Sequence, residues 1–87
     1  MRIWKFPLHF GENVFSWPPS RGARPLSVQM QRGEVVLFAL IADEPGGFER
    51  RFVLVATGSA MDPAATYIGT VLDGNTGSGY HVFERAL

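Results

Sequence analysis

The segment from Leu26 to Ala42 constrains the fold most. In LSVQMQ, Leu26, Val28 and Met30 fall on one side of an extended chain while Ser27, Gln29 and Gln31 fall on the other. That period of two belongs to a strand with one buried and one wet face. Arg32-Gly33 then supplies a tight turn, and Val35 to Ala42 returns as a strand that is apolar on both sides. Such a strand needs cover over both faces, so it is expected at the centre of a sheet or in a contact between subunits.

The remaining chain is punctuated in the same way. Arg2 to Phe6 reads as a strand at an edge or terminus, because Pro7 cannot donate to a central ladder. Gly11-Glu12-Asn13 predicts a turn, after which Val14, Phe15 and Trp17 form a short extended piece stopped by Pro18-Pro19. Pro18 to Pro25 predicts a surface loop. The breaker Asp43 to Gly47 predicts a second hairpin leading into Glu49 to Ala56, where Phe52, Leu54 and Ala56 face one way and Arg51, Val53 and Val55 the other. Asp62 is placed to cap a short helical turn beginning at Pro63. Tyr67 to Leu72 and Tyr80 to Arg85 then make a last antiparallel pair with a glycine-rich, mobile tip at 73–79. No repeat, heptad or long amphipathic helix interrupts this pattern. It predicts one all-β domain over 1–87, a small antiparallel β-sandwich or barrel-like meander of about six to seven strands with at most one short helical turn.

A chain of 87 residues buries only about two thirds of its unfolded surface. Its apolar edges and strand tips therefore predict pairing between identical subunits. Eight basic and eight acidic side chains balance, which argues against a broad basic face for nucleic acid. The absence of cysteine removes disulfides and thiolate metal sites. The longest apolar run, Val35 to Ala42, is far short of a membrane span, and MRIWKFPL lacks the apolar core and cleavage site of a signal peptide. A soluble, unexported protein is expected.

Candidate chemistry is sparse. Ser59, Asp62 and His81 evoke a hydrolase triad, but the glycine two residues past the serine and the long following helix of a nucleophile elbow are missing. His9 and His81 have no partner at a metal-ligand spacing. Gly74 to Gly79 lacks the lysine and helix of a phosphate loop, so a hairpin tip is the simpler reading. Neither a catalytic residue, a metal nor a cofactor is expected. The better anion candidate is the turn Thr57-Gly58-Ser59, which continues through Met61 and Asp62 toward a helix N-terminus whose amides favour negative charge. An ordinary capped turn accounts for the same residues. Arg21, Arg24, Arg50 and Arg51 offer paired donors for a phosphate, or solvated surface charge. Trp4, Trp17, Tyr67 and Tyr80 offer stacking surfaces, or core packing, and convergence with arginine distinguishes the two.

The stretches IWKFPL, LSVQMQRGEVVLFAL, ATGSAMD, TYIGTV and HVFERAL, in that order, resemble a family of short, uncharacterised tailed-phage and prophage proteins. They cover nearly the whole chain. Phe38 stands where such families typically carry tryptophan in the central strand. The resemblance implies a phage-encoded protein of the host cytoplasm that carries no enzymatic signature. By analogy with other small phage proteins it implies a counter-defence factor, a homo-oligomer that sequesters a small anionic nucleotide signal without altering it. Thr57, Gly58, Ser59, Met61 and Asp62 would hold phosphate, Arg24 and Arg51 would supply charge, and Trp4, Trp17 and Tyr67 would stack. The alternatives are a protein-interaction module that inhibits a host factor and a minor virion or morphogenesis component.

Overall fold

The hairpin around Arg32-Gly33 forms as expected in the computed structural model, which describes residues 1–18 and 22–86. Arg32 and Gly33 take φ values of 51° and 80°. A two-residue turn with both φ positive matches the right-handed twist of its flanking strands. Pro19, Ser20 and Arg21 of the expected surface loop, together with Leu87, lie outside the described residues.

Seven strands follow in order among the described residues: β1 (Arg2–Leu8), β2 (Gly11–Trp17), β3 (Arg24–Gln31), β4 (Glu34–Ile41), β5 (Phe48–Ala56), β6 (Thr66–Leu72) and β7 (Gly79–Arg85). They form a three-stranded sheet in the order β1-β4-β3 and a four-stranded sheet in the order β2-β5-β7-β6. Every pairing is antiparallel. The all-β antiparallel expectation is met, and no described helix is long and apolar enough to cross a membrane.

β4 occupies the centre of its sheet, as a strand apolar on both sides requires. Val35, Leu37, Ala39 and Ile41 point into the core, whereas Val36, Phe38 and Leu40 lie on the outer face. From the facing sheet come Trp17, Phe52, Leu54 and Val82, all almost fully buried. Edges of the two sheets meet where β3 approaches β6. A Cβ at Gly69 would lie 3.0 Å from Val28 Cγ2, so glycine permits that approach.

Five expectations are corrected. The segment 43–47 is not a hairpin; it carries the chain from one sheet to the other. Both edges of β4 are already paired, by β1 and β3, so β5 has no edge there to join. Gly11 to Asn13 is not a turn but the opening of β2. The turn falls at 9–10, and buried Asn13 holds it from within the strand. Its Oδ1 accepts from His9 N at 3.1 Å, and its Nδ2 donates to the carbonyls of His9 at 3.0 Å and Gly11 at 3.2 Å. Leu26, expected inside, is exposed because a bulge between Pro25 and Ser27 removes it from the ladder. The helical turn at Pro63 is a β-turn, in which Ala64 N donates to Asp62 Oδ1 at 2.9 Å and Ala65 N to Asp62 O at 3.0 Å. The hairpin tip expected to be mobile is tied by its own bonds, Asp73 N to Ser78 O at 2.8 Å and Gly77 N to Asp73 O at 2.7 Å.

The sheet-to-sheet passage yields a test. A Cβ on Gly47 would sit 2.8 Å from the Trp17 carbonyl oxygen and 2.7 Å from Ser16 Oγ. Backbone cannot swing aside as a side chain can. Gly47→Ala is expected to lower stability by about 1–2 kcal/mol, read as a reduced denaturation midpoint with unchanged slope.

Candidate functional site

Alternation along β5 buries Phe52 and Leu54 and turns Arg51, Val53 and Val55 outward. The ladders continue this outer face across the four-stranded sheet. Arg51 stands opposite Arg85 on one side and Val14 on the other. One row along, Val53 is opposite Phe83, which is opposite Tyr67. In the next row Val55 meets His81, which meets Thr70. Thr57 closes the series, its amide donating to Gly79 O at 3.0 Å.

Tyr67 is 57% exposed and meets Phe83 edge to face, with ring centroids 5.6 Å apart and planes at 65°. Its hydroxyl begins a chain of contacts: Tyr67 OH to Thr70 Oγ1 at 2.6 Å, Thr70 Oγ1 to His81 Nδ1 at 2.9 Å, His81 Nε2 to Thr57 Oγ1 at 2.7 Å, and Thr57 Oγ1 to Gly79 O at 3.3 Å. One assignment gives every donor a partner. Tyr67 donates to Thr70, Thr70 to Nδ1, neutral His81 through Nε2–H to Thr57, and Thr57 to the Gly79 carbonyl. The chain fixes the tyrosine ring and leaves its outer side bare.

Charge gathers at the other end. Arg51 Nε is ion-paired with Glu12 but is not aligned with it for a hydrogen bond. Arg85 makes no ion pair among the described residues. It also borders a hollow of about 80 Å³ beside Asp62, Ala64 and Ala65, so the turn and the arginine are neighbours.

Other candidates from the sequence lie elsewhere. Trp17 is 1% exposed and packs against Phe52, with centroids 5.2 Å apart, so it is core and presents no stacking surface to a ligand. Arg50 lies 4.7 Å over the Trp17 ring and grips Glu84 with two nitrogens. The hydrogen bond that Arg50 donates to Glu84 raises the Arg50 pKa above its ordinary value, against an opposing pull from burial. Trp4 is exposed on β1, in the other sheet, beside a cleft of about 420 Å³ shared with Phe6, Pro18 and Ile41. Arg24 also belongs to that sheet, and its Nη1 donates to Gly22 O at 3.0 Å.

The phosphate role expected of the 57–62 turn does not fit its hydrogen bonding. Thr57 N is held by Gly79 O and Ser59 N by Ala56 O at 3.1 Å, while the Ala64 and Ala65 amides are held by Asp62. No helix N-terminus stands there to aim free amides at an anion. Gly58, at φ 97°, supplies the left-handed step of the turn, and half-buried Met61 and exposed Ser59 follow it.

Phe83, Thr70 and Arg85 were not legible as site residues. A bulge between Tyr67 and Gly69 puts Tyr67 and Thr70, three apart, on one face. Plain alternation along TYIGTV separates them. Among the described residues no three His, Cys, Asp or Glu side chains cluster to hold a metal ion.

Fold and face together define a small antiparallel β-sandwich that presents an aromatic and arginine-flanked platform on its larger sheet. The chain belongs to the family described as a domain of unknown function (DUF7352), whose model matches residues 1–87. Neither a curated protein nor a solved structure gives a match.

Proposed function

We propose that this protein is a non-enzymatic binding module that holds a small anionic nucleotide on the outer face of the four-stranded sheet. In this reading a second copy covers the ligand's other side. The observation that carries it is the Tyr67–Phe83 pair lying one row from Arg51 and Arg85. An aromatic face stacks a base of any sequence for about 1–3 kcal/mol. One row is a two-residue step of about 7 Å along the strands, a span on the scale that separates base from phosphate in a nucleotide. Guanidinium groups at that spacing meet phosphate with paired donors. Resemblance to tailed-phage and prophage proteins supports a counter-defence role in the host cytoplasm, in which the module withdraws a nucleotide immune signal intact.

Calorimetry against cyclic nucleotides and ADP-ribose derivatives, with native mass spectrometry for subunit count, tests the reading. One member of the panel is expected to bind and to be recovered unaltered after denaturation. Tyr67→Ala is expected to weaken that binding at least about fivefold, on the stacking magnitude above. Failure of the whole panel, or indifference to Tyr67→Ala, defeats the proposal.

A second reading has its own observation. The same face exposes Val14 and Leu72 around half-buried Val53, and a broad apolar sheet face fits a protein partner as well. Capture of one stoichiometric host protein, with no nucleotide retained, would favour a module that inhibits a host factor.

A further inference from the structure

The outer face of the three-stranded sheet carries a cavity of about 680 Å³, lined by Lys5, Pro7, Gln31, Arg32, Glu34 and Val36. Lys5 on β1 reaches across β4 and donates from Nζ to Gln31 Oε1 on β3 at 3.1 Å. Val36 points to this face yet is only 2% exposed, so it forms an apolar floor. We propose that this trough is a second binding site, separate from the Tyr67 platform, and that it takes a small carboxylate with a short hydrocarbon body.

Each part of that ligand answers a feature of the cavity. Two cations, Lys5 and Arg32, enter from β1 and from the β3–β4 turn. The flat guanidinium matches a planar carboxylate with parallel donors. A carboxylate is a stronger acceptor for Lys5 than the neutral amide oxygen of Gln31, so the ligand replaces that contact and opens the strap. Val36 and Pro7 offer the hydrocarbon body a dry surface. Glu34 on the same wall leaves one net positive charge, which balances a monoanion but leaves the further charges of a polyphosphate uncompensated beside the Glu34 carboxylate.

Arg32 also provides a clean variant. It holds φ 51° in the turn, a conformation that glycine adopts without strain. Arg32→Gly therefore keeps the hairpin and removes the arginine side chain with its guanidinium. Two-dimensional NMR of the full chain titrated with hexanoate is expected to shift the Val36 methyl, Gln31 side-chain amide and Gly33 amide signals together. Arg32→Gly and Lys5→Met are each expected to raise the dissociation constant about tenfold, the size of one charge-assisted hydrogen bond, with the spectrum otherwise unchanged. Pyrophosphate is expected to leave these signals in place. The proposal is overturned if hexanoate leaves the Val36 methyl unmoved, if Arg32→Gly binds it as well as the parent chain does, or if pyrophosphate binds there as tightly.

Discussion

Phe52→Ala is expected to lower stability by about 3–5 kcal/mol. Phe52 is fully buried, with ring centroids 5.2 Å from Trp17 and 6.3 Å from Phe15. It also lies 6.0 Å beneath the Arg50 guanidinium. Truncation removes the transfer free energy of the ring and leaves a void that stiff strands on both sides cannot close. A domain of this length has a total stability of about 4–13 kcal/mol at typical per-residue values, so the substitution removes a large share of it and, at the lower end, all of it. Denaturant titration followed by tryptophan fluorescence measures the loss directly. A loss under about 1 kcal/mol would place Phe52 outside the core on which both sheets depend.

Alternation revealed most of the strands, because a half-buried ribbon must alternate and because Gly and Pro mark its ends. It failed where one residue acts against its neighbourhood. Asn13 reads as a turn former, and it does close a turn, but from two residues inside the following strand through its buried amide. The 43–47 segment has hairpin chemistry, yet pairing is decided by which edges remain free, and β4 had none. That is a property of the whole sheet and no window of sequence contains it. The site was legible to a similar depth. Arg51, Thr57 and Tyr67 do share a face, since Arg51 and Tyr67 lie on the outer side of β5 and β6 and the alternation of β5 runs on to Thr57 just past its end. Their companions Phe83, Thr70 and Arg85 depend on cross-strand register and on the bulge before Gly69. Trp17 was misjudged for a different reason. Its alternation with Phe15 marks one face of β2 without saying which, and only the packing of the second sheet turns that face inward.

Glu84→Ala is expected to cost about 2–3 kcal/mol, the range of a charged group that loses its partner, and Glu84→Gln about half as much. Glu84 accepts from two nitrogens of Arg50, one of them Nη2 at 2.9 Å, and both side chains are mostly shielded. Without the carboxylate, the guanidinium stays pinned over Trp17 and Phe52 with its donors turned toward the protein. Salt dependence distinguishes this pair from a surface contact, and the pH profile follows from the base. Arg50 has a pKa raised above its ordinary value, chiefly by the Glu84 hydrogen bond. A raised base contributes fully at every pH below its unfolded value, and the contribution disappears only as pH climbs through the folded value. Both lie above the working range, so the stability gap between parent and Glu84→Gln is expected to stay flat from about pH 6 to pH 10. Added salt is expected to leave it nearly unchanged, because shielded pairs are weakly screened. Glu12 with Arg51, on the exposed face, is expected to contribute under about 1 kcal/mol and to fade with salt. If instead the Glu84 effect collapsed in high salt, the pair would be no more than a surface contact, and the Trp17 side of the core would be held by packing alone.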